Sequence, residues 1–207
     1  VGFAPSLWRA IAPSAAPALL TDFPTVPGMP ATPHDIWVWC HGAGQDDLLD
    51  VALAVRDLLD PVATVAFEVL GFVYHDSRDL TGFIDGTENP GVEEAHEVAL
   101  VADGAGASGS FAMTQRWVHH LDAWRALDQA EQEQVIGRTK PDSVELDEDV
   151  MPATSHVSRM VVEGDDGEEL AIYRRSVPYG TASEHGLHFV AFSAEPSRFT
   201  IMLERMF

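Results

Sequence analysis

The sequence predicts an α+β fold with mainly antiparallel sheet. One observation is the strict alternation over residues 110–119, where Phe111, Met113, Gln115 and Trp117 take one face and Ala112, Thr114, Arg116 and Val118 the other. A second is helical periodicity over residues 46–60 and 196–206. The third is that strands interleave with helices and hairpins, with a helix between strands in each half. That is the pattern of a duplicated β-α-β-β unit, with weak sequence similarity between the halves.

Residues 1–35 are rich in Pro and Ala, and Pro24, Pro27, Pro30 and Pro33 recur every third position. This suits an extended surface segment, read as a packed loop in preference to a polyproline ligand. Ile36-Trp37-Val38-Trp39 reads as a short strand. Residues 46–60 put Leu48, Val51, Ala52, Val55, Leu58 and Leu59 on one helical face, and Pro61 ends the helix. Residues 62–74 are β-branched and aromatic and read as strand, followed by a loop over 75–92. Residues 98–102 read as a further strand. Asp128 to Glu131 is a capping-box variant opening a short helix that Gly137 closes. Residues 157–162 and 170–177 look like paired strands around the acidic turn Gly164-Asp165-Asp166-Gly167. Residues 187–193 form another strand, and 196–206 a final amphipathic helix.

The chain has 207 residues, with 12 Lys and Arg against 33 Asp and Glu, for a formal net charge of −21. Such a length buries roughly 70% of its unfolded surface, enough for one substantial core or two small ones. The charge argues against nucleic acid and anionic membranes, both of which need clustered Lys and Arg. A single cysteine, Cys40, excludes an internal disulfide and a thiolate metal cluster. No apolar run reaches the roughly 18–20 residues of a membrane span. The start, Val1-Gly2-Phe3-Ala4-Pro5, lacks the charged segment of a secretory signal. A cytoplasmic protein is the expectation. The chain has no initiator Met and stops inside a predicted helix, so it reads as processed or as an internal piece of a longer protein.

Several motifs have ordinary explanations. Gly104-Ala-Gly106-Ala-Ser-Gly109 matches the dinucleotide fingerprint, but a strand-like stretch follows where a helix should begin, so a hairpin loop is preferred. His120 with Asp122, and His185 with His188, have spacings that metal ligands use and that chance also supplies. Cys40 beside His41 reads as a passive buried thiol. Two segments rise above this background. Gly82-Phe83-Ile84-Asp85-Gly86-Thr87-Glu88-Asn89-Pro90 is either a turn in which Asp85 caps its own backbone, or a carboxylate held beside a Gly that permits close approach. In Ile172-Tyr173-Arg174-Arg175-Ser176-Val177-Pro178-Tyr179-Gly180, alternation turns one arginine inward, where it needs an anionic partner.

These strings resemble the dye-decolourising peroxidases, in their bacterial type B branch. Gln115-Arg116-Trp117-Val118-His119, Val135-Ile136-Gly137-Arg138-Thr139-Lys140 and Ser155-His156-Val157 strengthen the resemblance, which runs from about Trp37 to the end. It implies two ferredoxin-like halves facing each other around a haem pocket, as in dimeric α+β barrels, within one domain over 1–207 with approximate halves 1–97 and 98–207. It implies haem b, with His156 as the axial iron ligand. Asp85 and Arg174 become the distal catalytic pair, and Ser176 lines the distal side. Ile84, Gly86, Thr87, Leu187 and Phe189 are implied cofactor contacts, and Arg159 a propionate partner.

The implied chemistry is reduction of H2O2 through a ferryl intermediate and one-electron oxidation of aromatic or dye-like reductants. Asp85 would move the proton, with its pKa lowered by Arg174, and Arg174 would stabilise the leaving oxygen. Trp117, Trp124, Tyr173 and Tyr179 are candidate electron relays, each read first as core packing. Relatives usually carry a strand and helix before Val1 and a segment beyond Phe207, the latter with a carboxylate near the axial histidine. They commonly form homo-oligomers, and some enter encapsulin shells through a C-terminal tail. Two alternatives stand beside this reading: a haem-handling protein with incidental peroxidase activity, and a non-haem iron oxygenase built on His120 and Asp122.

Overall fold

The computed structural model describes residues 1–23, 26–42, 44–164, 167 and 169–207; the expectations on Pro24, Asp165 and Asp166 fall outside them. In chain order the elements are β1 (Gly2–Phe3), α1 (Pro5–Ile11), β2 (Ile36–Trp37), α2 (Gln45–Leu59), α3 (Val92–Ala99) and β3 (Phe111–Val118). Then come α4 (Leu121–Ala126), α5 (Gln129–Ile136), α6 (His156–Met160), β4 (Tyr173–Arg174), β5 (Val177–Gly180), β6 (His185–Ser193) and α7 (Pro196–Met206). Every strand pairing among them is antiparallel, so the chain is α+β.

The alternating strand β3 pairs along its whole length with β6, from Phe111 opposite Ser193 to Val118 opposite Gly186. The other edge of β6 takes β4 and β5 in one continuous register, Arg174 opposite Ala191 and Val177 opposite His188. Directly opposed residues share a face. Met113, Gln115 and Trp117 therefore stand beside Ala191, Phe189, Leu187, Arg174 and Pro178. At one end this face is closed by α7, whose Phe199, Met202 and Leu203 join Met113, Ala191, Val26, Val162 and Ile172 in the core. On the opposite face, Trp37 and Trp39 pack on Phe192.

Four expectations change. Residues 1–35 are not simply extended: Pro5 opens α1, and a 3₁₀ turn follows at Pro13–Ala15. Residues 62–74 form no strand. Their only ladder contacts among the described residues are the Gly71–Tyr179 bridge and the Phe72 amide on the Pro178 carbonyl. Val62, Val65, Leu70 and Val73 stay exposed, because β-propensity acts only where a neighbouring strand supplies partners. Val98 and Ala99 belong to α3, where Glu93 and Glu94 favour the first helical turn. Val157 to Met160 are helical, because the buried Ser155 hydroxyl accepts the Ser158 amide and caps α6. What survives of that predicted pairing is the Leu170 amide on the Val162 carbonyl and the bridge between Glu163 and Glu169. The duplicated pattern is uneven: the second half holds a four-stranded sheet, while among the described residues the first holds only β1 with β2.

Candidate functional site

The site forms where the loop after Tyr74 meets the broken edge of the sheet. Residues 77–85 fold back on themselves: the Asp79 amide donates to the Phe83 carbonyl, and the Asp85 amide to the Ser77 carbonyl, 3.0 Å away. Gly82 turns the chain at φ +91°, where a Cβ would also collide with the Lys140 side chain 2.6 Å away. Two side chains then fasten the loop. Asn89 Nδ2 donates to the Arg174 carbonyl at 2.7 Å, and Asn89 Oδ1 accepts the Arg174 amide at 2.8 Å. One amide thus stands in for a strand neighbour of β4. Glu88 meets the buried Arg138 guanidinium at 2.7 Å; Arg138 also binds Glu145 and the Ser143 carbonyl.

The sheet edge is built to match. Between β4 and β5 the Val190 amide donates to Ser176 Oγ at 3.3 Å, so a hydroxyl takes part in the ladder at the break. Arg174 is half-buried and Arg175 exposed, which settles the alternation in favour of Arg174 pointing inward. The Arg174 guanidinium forms no ion pair among the described residues.

His156 is the first residue of α6. The helix is seated by Gly137, the left-handed cap of α5 at φ +95°, where a Cβ would lie 2.9 Å from Val157 Cβ and 3.0 Å from Ser155 Oγ. His156 is exposed at the start of α6, with protein atoms crowding its ring. Burial, then the charges of Arg174 and Arg138, hold its pKa below the usual imidazole value. The neutral form that ligates metals is favoured.

Asp85 departs from the expected lowering. Burial pushes its carboxyl above the usual value of 3.8, the Asp79 charge adds to that, and Arg174 only partly offsets them. Arg174 therefore acts electrostatically on both His156 and Asp85. Asp85 and Ser176 line one recess of about 100 Å³ with Phe72, Val73, Tyr74, Ser77, Arg78, Val177 and Pro178.

The remaining predicted positions divide. Leu187 and Phe189 share the sheet face of Arg174, and Phe189 also packs on the core. Ile84 bridges to Arg78, Gly86 turns at φ +76°, and Thr87 is exposed. Arg159 Nη1 binds the Met206 carbonyl at 2.5 Å, tying α6 to the end of α7. Trp117 stacks on Phe207, and Trp124 donates to the Thr81 carbonyl beside Phe83. Tyr173 pairs with Phe192, and Tyr179 is buried. His185 and His188 lie on opposite faces of β6 and cannot converge. Among the described residues, no group of three His, Cys, Asp or Glu could hold a metal ion, which leaves the oxygenase reading without a site. Nor is any helix among them long and apolar enough to cross a membrane.

Sequence reasoning missed Asn89, Arg138 and a half-buried pair formed by Asp79 and His119. Asn89 and Arg138 stood inside the quoted strings, but their partners are 85 and 50 residues away and no local pattern names them.

A single imidazole suits a metal that brings other ligands with it, and Arg174 acts electrostatically on both that imidazole and the Asp85 carboxyl. The fold is α+β, and its loop and sheet edge bring a carboxylate, Asp85, and a hydroxyl, Ser176, to one recess. The chain belongs to the Dyp-type peroxidase family: residues 1–73 match its N-terminal part and residues 76–207 its C-terminal part. It is 38% identical to a dye-decolorizing peroxidase of Mycolicibacterium paratuberculosis over 97% of this chain and 59% of that protein. It is 35% identical to one of Rhodococcus erythropolis over 100% of this chain and 63% of that protein. The chain thus spans about six-tenths of the length of these curated relatives. Among solved structures, a dye-decolorizing protein of V. cholerae superposes with a TM-score of 0.89 at 45% identity, over 99% of this chain and 69% of that one. A DypB variant of Rhodococcus jostii in complex with heme gives 0.94 at 37% identity, over 100% and 69%.

Proposed function

We propose that this chain supplies the pocket of a haem b peroxidase that reduces H2O2 and oxidises aromatic or dye-like reductants by single electrons. The observation that carries the reading is that Asn89 ties the loop of Asp85 to Arg174, while Asp85 and Ser176 line one recess and Arg174 acts on both Asp85 and His156. The residues fit the cofactor. His156 would take the iron, with Leu187, Phe189, Ile84, Gly86 and Thr87 flanking the ring and Ser176 on the side of Asp85. Arg159 would reach a propionate only with the guanidinium N–H groups not on Met206. When bound, haem supplies the iron at which the peroxide O–O bond breaks and holds the oxidising equivalents.

The chain's own part is proton handling and charge stabilisation. The Asp85 carboxylate takes a proton from one oxygen of H2O2 and delivers it to the other, which leaves as water. The Arg174 guanidinium stabilises the negative charge that develops on the departing oxygen. Asn89 holds Arg174 in register with the loop that carries Asp85, so both groups reach one substrate. Arg174→Leu is expected to slow the reaction with H2O2 by about 100-fold in stopped-flow mixing. An unchanged rate would remove Arg174 from this role. Homo-oligomerisation and a cytoplasmic location, within an encapsulin shell in some settings, belong to the proposal as family expectations. Sedimentation of the purified protein checks the first.

A further inference from the structure

We propose that the half-buried Asp79–His119 pair is the positioning device of Asp85, clamping the turn of residues 77–85 to the end of β3 and fixing a second carboxylate in the same turn. The inference rests on the reading in which Asp85 handles the peroxide proton. His119 directly follows β3, and its amide donates to the His185 carbonyl at 2.9 Å, so the ladder between β3 and β6 holds its backbone. Its Nε2 lies 2.9 and 3.0 Å from the two Asp79 carboxylate oxygens. Asp79 Oδ2 also accepts the Thr81 amide at 2.9 Å and the Thr81 hydroxyl at 2.6 Å. The Asp79 backbone closes the same turn, through the Phe83 carbonyl on one side and the Gly82 amide on the other.

A largely desolvated acid–imidazole pair is a poor way to gain stability, because desolvation consumes much of the attraction. Its position gives it another use. Burial alone would raise the Asp79 carboxyl, but the bonds from His119 and Thr81 outweigh it and keep Asp79 ionised. The groups facing Asp85 are Arg174 from β4, Arg78 and Tyr74 on the shared recess, and Asp79 from its own turn. Asp79 is the one fixed negative charge in that set and works against Arg174, so it keeps Asp85 able to hold a proton. His119 holds that charge in place, through its ring nitrogen on both Asp79 oxygens.

The test is a pH titration of the Asp85 carboxyl by infrared difference spectroscopy in the full-length, haem-loaded protein, with the band assigned by its loss in Asp85→Asn. In Asp79→Asn the midpoint is expected at lower pH than in wild type. In His119→Gln, which keeps a donor to the ionised Asp79, the midpoint is expected unchanged or higher. A pair that only braces the turn would move both midpoints the same way. An Asp79→Asn midpoint at or above wild type, or a downward move in both variants, overturns the proposal. The parent reading fails separately, if Asp85→Asn reacts with H2O2 as fast as wild type.

Discussion

Asp85 and Asp79 sit in one turn, and their surroundings push them in opposite directions. Asp85 is held above its ordinary value mainly by burial, so it lends stability below pH 3.8 that is lost as pH rises through the raised value. Asp85→Asn keeps the shape and removes that loss. It is expected to raise Tm at about pH 7 by roughly 2–4 °C and to leave it unchanged near about pH 3, read by calorimetry. A lower Tm at neutral pH would mean that Arg174 dominates Asp85 after all. The sequence pointed to Asp85 and Arg174 as the proposed pair, because both lie in the strings that carry the family resemblance. It could not show the sign of the Asp85 shift. That sign depends on how deeply the turn is buried and on Asp79, and neither is visible until the chain is folded.

At the scale of elements, the legible parts are those whose signals are local. The capping box of α5 forms as expected, with the Asp128 side chain on the Glu131 amide and Glu131 on the Asp128 amide. The alternation of β3 and the periodicity of α7 hold as well. The illegible parts depend on distant partners. Residues 62–74 have the composition of a strand but find a neighbour only at Gly71 and Phe72. The five residues of α6 are too few for periodicity to show, and only the Ser155 cap marks them. The contact of Gly137 with Val157 and Ser155 makes α5 the support of α6, and through it of His156. Gly137→Ala adds a clash to a left-handed backbone, so it is expected to cost about 1–3 kcal/mol. It should also weaken haem retention, measured by transfer to apomyoglobin. A stable variant with normal retention would show that α6 is held by other means.

Over the whole molecule, the formal charge of −21 is spread among 33 acidic residues, and the few cations near the site are committed. Arg138 is bound to Glu88 and Glu145, and Arg159 to Met206, while Arg174 forms no ion pair among the described residues. An anionic dye approaching this surface is repelled at long range. Its kcat/KM is expected to rise with ionic strength, while that of a cationic reductant falls. Equal salt dependence for both would mean that the surface field plays no part in the encounter. The proposed function hangs on the assignment of His156 as the ligand to a haem iron. The direct measurement is the absorption spectrum of the haem-loaded protein beside that of His156→Ala. A Soret band with near-full occupancy in wild type, lost or strongly altered in the variant, is the predicted result. The same spectrum and occupancy in both proteins would contradict the account.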